Sequence, residues 1–376
     1  MKKILGYSKI RPSNWWNIPL LAMTMVLFFV VEVGAYVPGK IYPITILHTN
    51  DSHGSFWRDN IGQFGFSAQK TLVGRIRQEV LSKGGHLLIL SAGDFNTGKP
   101  RSDMQHAIPD LLALNSIGYD AMCIGNHEFD KGLQALQEQE SLAQFPFLAA
   151  NIYYDTENSP RKLNVRVFKP YIQKTFDELK VSIIGLITET TPYITESGRT
   201  DGLFFRSALE EAKEIVPLLR KESDIVVALT HLGFTTQDPR SAGDETLAGS
   251  GLGIDLIVGG HEHLRLFEPV IKDKTIIVQA GDQGKYLGRL DLEFLDGQVR
   301  IVGYKLIAIN QKVIVTSDNG TPVLDAQGNP QYRFVNEEIV EDPDLLQKLQ
   351  FYYDKGGEEL AKVVGTVEGY FTRSRS

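Results

Sequence analysis

The stretch ITILHTNDSHG, residues 44–54, joins an apolar run to side chains that can bind a cation. Its first four residues are apolar or β-branched, which predicts a strand buried within a sheet. Asp51 and His53 follow, and because side chains alternate along extended backbone, both are expected on the same side of the chain. Gly54 allows a sharp turn close to an ion or a phosphate. The stretch therefore predicts a strand that delivers two metal ligands at its carboxyl end.

Four further apolar runs end in the same kind of polar side chain. These runs cover residues 87–90, 121–124, 225–229 and 256–258. The candidate ligands that follow them are Asp94, Asn126, His231, His261 and His263. Because functional groups gather at the carboxyl ends of the strands in α/β sheets, these side chains are expected to lie close together.

The chemistry of these side chains favours a divalent metal. They offer carboxylate, amide and imidazole groups but no thiolate, which suits Zn, Mn, Fe, Co or Mg. The Asp94 carboxylate can bridge two ions, because each of its oxygens can bind one. Taken alone, an Asp-x-His or a Gly-Asp pair is uninformative, and a lone histidine at a strand end is more often a structural residue. The ordered occurrence of all five segments predicts a metal site.

The apolar runs alternate with amphipathic stretches along most of the chain, which predicts an α/β domain with buried sheets. Helices are expected over residues 67–82 and 104–117. Successive strands are expected over 275–278, 287–294 and 299–309, followed by a polar loop over 316–332. A last helix is predicted over 342–364, because Asp-Pro at its start is a favourable cap and first turn.

The composition and the N-terminus bear on partners and location. The chain has 376 residues and a net charge of −7, which disfavours a nucleic acid polymer as a partner. Four cations precede an apolar run over residues 18–31, which is shorter than the ~20 residues of a membrane-spanning helix. Residues 1–35 therefore predict a cleaved secretory signal peptide and an exported protein, periplasmic or extracellular. The alternative is an uncleaved signal, which would be the expected route to a membrane.

The ordered set Asp-x-His, Gly-Asp, Gly-Asn-His-Glu, Thr-His and Gly-His-x-His resembles the calcineurin-like metallophosphatase superfamily. The longer strings GDFNTG, residues 93–98, and AMCIGNHEFD, residues 121–130, are similar to its 5'-nucleotidase family. The likeness covers roughly residues 42–370 and is greatest to bacterial periplasmic members that act on 5'-nucleotides and UDP-sugars. It implies an α/β fold, a four-layer α/β/β/α metallophosphatase sandwich followed by a C-terminal connecting helix.

The resemblance also implies a role for each site residue and a cofactor of two divalent metal ions. One ion would be held by Asp51, His53, Asp94 and His263, and the other by Asp94, Asn126, His231 and His261. The periplasmic members have a glutamine at the position of His263, so the metal preference could differ here. His127 and Asp130 match the family's catalytic pair.

The same resemblance implies the division of the chain and its activity. A calcineurin-like metallophosphatase domain is expected over 41–335, and a connecting helix with the truncated start of a 5'-nucleotidase C-terminal domain over 336–376. A separate C-terminal nucleoside-binding domain is therefore an expected partner. The implied enzyme is a hydrolase of phosphoric ester bonds, acting on nucleoside 5'-monophosphates or UDP-sugars. The alternatives are a cyclic-nucleotide phosphodiesterase, a nucleotide pyrophosphatase, or a truncated metal-binding remnant.

Overall fold

The structure, a computed structural model, describes residues 36–155, 165–235 and 241–363, all within one compact unit. Two predictions lie outside these residues, namely the signal peptide over 1–35 and the start of a further domain after residue 363. Among the described residues, no helix has both the length and the apolar character that crossing a membrane requires.

The first part of the chain alternates strands with helices, as the apolar runs predict. Its elements are, in order, β1 (Tyr42–Thr49), α1 (Phe66–Ser82), β2 (His86–Ser91), α2 (Pro100–Asp103), α3 (Ile108–Ile117), β3 (Ala121–Cys123), a short 3-10 helix (His127–Phe129), α4 (Gly132–Leu142), β4 (Phe147–Leu148), β5 (Ile152–Tyr154), β6 (Tyr171–Phe176) and β7 (Leu179–Ile187).

The second part of the chain completes a second sheet and then returns to the first. Its elements are α5 (Thr191–Ile194), β8 (Leu203–Phe205), α6 (Ala208–Glu222), β9 (Ile225–His231), α7 (Asp244–Ala248), β10 (Leu256–Val258), β11 (Val270–Lys272), β12 (Thr275–Val278), β13 (Tyr286–Leu295), β14 (Gln298–Ala308), β15 (Lys312–Ile314), β16 (Tyr332–Phe334) and α8 (Pro343–Leu360).

Two six-stranded sheets form the centre of the domain, in the orders β14-β13-β1-β2-β3-β4 and β11-β12-β10-β9-β7-β6. The strands β1, β2, β3 and β4 pair in parallel in the first sheet, and β12, β10, β9 and β7 pair in parallel in the second. The remaining strands join antiparallel at the edges. Within each sheet, the parallel strands therefore place their carboxyl ends at one edge.

Three apolar clusters separate four layers. Side chains of both sheets meet in the central cluster, where Ile46 and Leu88 of the first sheet join Val227 and Leu256 of the second. A second cluster packs α1, α3 and α8 on the outer face of the first sheet, and a third packs α6 on the outer face of the second. Successive side chains of a strand point to opposite faces of its sheet, so each sheet packs in the central cluster on one face and against helices on the other. The predicted four-layer sandwich is confirmed.

Several predicted boundaries differ from the structure. The helix predicted over 104–117 begins only at Ile108, because His106 and Ala107 each have a φ of 53°, in the left-handed region that a helix cannot include. The last helix ends at Leu360 rather than at residue 364. The strands predicted at 275–278 and 287–294 are both present but belong to different sheets. The polar stretch 316–332 ends by entering β16, which pairs with β15.

Candidate metal centre

The two sheets bring all seven predicted ligands to the carboxyl ends of their parallel strands. The first sheet supplies four of these residues from the loops after β1, β2 and β3, and the second supplies three from the ends of β9 and β10. The four are Asp51, His53, Asp94 and Asn126, and the three are His231, His261 and His263. Residues far apart in the sequence therefore meet at one place, as the sheet argument predicts.

Most of these ligand positions have a strained backbone. Five of the seven residues have a positive φ, namely Asp51 (52°), His53 (48°), Asp94 (53°), His261 (87°) and His263 (58°). The argument from extended backbone at Asp51-x-His53 is therefore wrong, since this segment is turned, and His261-x-His263 is turned as well. Left-handed conformations cost energy in residues other than glycine and concentrate at functional sites.

The loop after β2 holds the turned segment after β1. The backbone N–H groups of Asp51 and His53 donate to the carbonyl oxygens of Gly93 and Asp94, at 2.9 and 3.0 Å. These bonds satisfy the backbone groups that a turn leaves without a strand partner. The side chains of Asp51 and His53 therefore point into the site because of hydrogen bonds between loops.

One group of potential ligand atoms comprises Asp51, His53 and His263, whose donor atoms lie within 4.8 Å of one another. The Nε2 atom of His263 lies 3.4 Å from Asp51 Oδ1 and 3.0 Å from His53 Nε2. Asp51 is buried, whereas the His263 side chain is 41% exposed. This group is therefore open to solvent on the side of His263, where a substrate can reach it.

A second group comprises Asp94, His231 and His261, again with donor atoms within 4.8 Å. His231 and Asp94 are both almost fully buried, and their atoms Nε2 and Oδ2 lie 3.1 Å apart. Although close, these two atoms lack the alignment of a hydrogen bond. Among the described residues, Asn126 Oδ1 also has no hydrogen-bond partner. Buried polar atoms without partners are costly, and a divalent cation would satisfy both.

Backbone carbonyls fix the orientation of two of the imidazoles. His53 Nδ1 donates to Thr97 O at 2.9 Å, and His231 Nδ1 donates to Ala92 O at 2.7 Å. This places the proton on Nδ1 and leaves the lone pair of Nε2 directed into the site. Both histidines are therefore arranged to bind a metal ion through Nε2 when that nitrogen carries no proton.

His127 lies beside these groups, with a ring nitrogen within 4.8 Å of donor atoms of His53 and Asp94. Its Nδ1 donates to Asp130 Oδ2 at 2.7 Å, as the three-residue spacing allows. The Asp130 hydrogen bond raises the pKa of His127 to about 9, against the lowering effect of burial. The side chain is 37% exposed, so a protonated imidazole can face a substrate at the rim of the site.

Two buried residues that the sequence did not single out organise the site. The Glu128 carboxylate accepts the backbone N–H groups of Asp94, Phe95, Asn96 and Gly125 at 2.7 to 3.2 Å. Asn50 donates to Asp51 Oδ2 at 2.6 Å and accepts from the Ala280 N–H at 2.8 Å. Asn50 precedes the predicted ligand Asp51 and Glu128 follows the predicted catalytic His127, but nothing in the sequence shows that they have partners in other loops.

A model of the calcineurin-like phosphoesterase family matches residues 44–265, which is more than half of the chain. The chain therefore belongs to the calcineurin-like phosphoesterase family. Membership implies divalent metal ions, and the described residues include groups of potential ligands whose type and spacing suit such ions.

The chain is also similar to individual bacterial proteins, one of which is a 5'-nucleotidase. It is 40% identical over 366 residues to the silent protein UshA(0) of Salmonella typhimurium, covering 91% of this chain and 64% of that one. It is 38% identical over 363 residues to the 5'-nucleotidase of Vibrio cholerae, covering 90% and 63%. The chain thus spans less than two thirds of the length of these relatives.

The solved structures show the same fold. NAD nucleotidase of Haemophilus influenzae matches with a TM-score of 0.70 at 20% identity, over 88% of this chain and 63% of that one. At this identity the match shows the fold alone, and it agrees with the four-layer sandwich described above.

The position of Asp94 between the two groups leads to a test. Asp94→Ala is expected to remove both metal ions, because His53 and His231 would each lose the carboxylate that lies beside them. Elemental analysis of the purified variant measures the metal content per chain. The control is Asp318→Ala, which removes an exposed carboxylate outside the site. Retention of about two ions per chain in Asp94→Ala would contradict the bridging position.

Proposed function

We propose that the chain hydrolyses nucleoside 5'-monophosphates to nucleoside and phosphate, with nucleotide sugars as a second substrate class. The proposal depends on one observation, the convergence of candidate metal ligands and the His127–Asp130 pair at the carboxyl ends of both sheets. The name of the Vibrio cholerae relative, a 5'-nucleotidase, supports nucleotides as substrates. The family supports an ester of phosphoric acid as the reacting group.

Two divalent ions would be held at the site, and Asp94 would be among the residues that hold each of them. One would be held by Asp51, His53, Asp94 and His263, and the other by Asp94, Asn126, His231 and His261. The separate exposed and buried groups, with Asp94 close to His53 and His231, support this division. Such ions would supply Lewis acidity, which offsets charge on the phosphoryl oxygens and favours ionisation of the attacking water.

The residues of the chain supply positioning and a proton. Asp130 holds the His127 ring by its Nδ1 proton, which directs Nε2 away from Asp130. A protonated His127 can donate a hydrogen bond to a phosphoryl oxygen or a proton to the leaving alkoxide. The hydrogen bond to Asp130 favours the protonated form of His127 by raising its pKa. Glu128 keeps the loops that carry Asp94 and Asn126 together.

The proposed function is tested by measuring hydrolysis of AMP, UDP-glucose and 3',5'-cyclic AMP by the metal-loaded wild-type chain and by its variant His127→Ala. The wild-type chain is expected to release phosphate from AMP and to leave the cyclic diester intact. Turnover of AMP by His127→Ala is expected to fall by about 10²–10⁴-fold, because the proton donor is lost. Its metal content, measured by elemental analysis, should stay close to that of the wild-type chain.

The control variant is His86→Ala, which removes a histidine at the opposite end of β2 and should leave turnover unchanged. If the chain hydrolysed 3',5'-cyclic AMP but not AMP, the assigned activity would be that of a phosphodiesterase and not of a monophosphatase. Inactivity towards AMP and p-nitrophenyl phosphate with both ions bound would indicate a metal-binding remnant. Loss of the metals from His127→Ala would refute the role given to His127.

We also propose that residues 1–35 are a secretory signal and that residues 41–335 form the catalytic domain, with α8 as the connecting helix. The basic and apolar pattern of the N-terminus supports export to the periplasm or beyond. N-terminal sequencing of the exported chain should find that it starts near residue 36. A mature protein that still carries residues 1–35 would contradict a cleaved signal.

A further inference from the structure

A cavity of about 390 Å³ adjoins the metal centre on the side of the loop after β1. Its lining includes Gly54, the residue after His53, and Gln283, whose N–H donates to the carbonyl oxygen of Asp51 at 2.7 Å. Through Gly54 and Gln283, the cavity thus borders the segment that carries Asp51 and His53. A group bound in it would lie beside whatever the candidate ligands hold.

The lining of this cavity is basic although the chain as a whole is acidic. It contains Arg58, Lys99 and Arg101 but only one carboxylate, Asp59, whose oxygens accept hydrogen bonds from Ile61 and Gln63 of its own loop. Arg58 pairs with Glu341, whereas Lys99 and Arg101 have no ion-pair partner among the described residues. Two uncompensated cations next to a phosphate site favour a second anionic group.

The aromatic side chains of the cavity pack against each other and against Arg101. Trp57 stacks on Tyr353 of α8 with ring centroids 4.7 Å apart, and the Arg101 guanidinium lies 4.0 Å from the Tyr353 centroid. Arg101 also donates to the Tyr353 carbonyl oxygen at 2.5 Å. These contacts cover the faces of Tyr353 that a nucleobase would need for stacking. Charge is therefore the recognition element that the cavity offers, and the Arg101 guanidinium is already held in place.

We propose that this cavity, which we call the Lys99 subsite, binds a phosphoryl group other than the one that is attacked. In a diphosphate-linked nucleotide such as a nucleotide sugar, the second phosphate lies next to the reacting one and would meet Lys99 and Arg101. Free inorganic phosphate carries the same chemistry and is the other possible source. The inference rests on the proposed function, because it takes the metal centre as the place of attack.

The variant Lys99→Glu tests the subsite, because Lys99 is exposed and its replacement removes no described ion pair. The KM values for UDP-glucose and UMP are measured on the metal-loaded chain. Charge reversal is expected to raise the KM for UDP-glucose at least about fivefold more than the KM for UMP, which has a single phosphate. The control is Lys305→Glu, an equal change of charge on β14 outside the cavity, which should leave the ratio of the two values unchanged.

A binding measurement separates this inference from the proposed function. Trp57 lines the cavity, so its fluorescence can report binding of α,β-methylene-UDP or of inorganic phosphate without any turnover. In Lys99→Glu, the dissociation constant for α,β-methylene-UDP should rise by at least about fivefold. A fluorescence change with inorganic phosphate alone, lost in Lys99→Glu, would assign the subsite to free phosphate.

Two results would overturn the inference. The first is an equal rise of the KM values for UMP and UDP-glucose in Lys99→Glu. Such a result would mean that Lys99 acts through a long-range electrostatic field and does not form a subsite. The second is an unchanged dissociation constant for both fluorescence probes. A chain that binds the probes as expected but does not hydrolyse UMP would contradict the proposed function alone.

Discussion

The carboxylate of Asp94 is the charge on which the arrangement of the site depends. It is 1% exposed, and burial by itself would raise its pKa. His231, His127 and His53 nevertheless lower the pKa of Asp94 below its usual range, so the carboxylate is held in its charged form. A buried charge is tolerated only with compensating groups around it. Protonated histidines from both sheets supply that compensation, and metal ions that replace their protons would supply it equally.

The frame around Asp94 consists mainly of backbone hydrogen bonds. Glu128 ties the loop after β2 to the loop after β3 through four N–H groups, and the His127 N–H donates to Asp94 Oδ1 at 2.9 Å. Gly125 permits this close approach, because a Cβ there would overlap with Asp94 Oδ1. The strained backbone of the ligand residues is stabilised by this network, which supports a site that is formed before a ligand binds.

The sequence indicated the fold class and the residues that meet at the site, because each candidate ligand follows a recognisable apolar strand. It could not show how strands divide between sheets, since β12 and β13 are consecutive yet pair with different neighbours. It also misjudged the backbone at Asp51 and His53, where hydrogen bonds between loops override the expected extended conformation. Glu128 was visible as a residue, but its role depends on tertiary contacts.

Positively charged side chains lie near the candidate ligands. Lys99 and Arg101 bring positive charge to the edge of a chain whose net charge is −7. Helix α8, which packs on α2 and α3 through Tyr353 and Leu349, holds Arg101 in position and closes one wall of the cavity. Helix α8 therefore both stabilises the domain and shapes the surroundings of the site.

The most direct test of this account is a crystal structure of the Mn²⁺-loaded chain with anomalous scattering data collected near the manganese edge. Two anomalous peaks on either side of the Asp94 carboxylate, one near His263 and the other near His231, are the expected result, at a separation of about 3.5–4 Å. A single peak, or two peaks that do not both contact Asp94, would contradict the shared carboxylate at the centre of the account.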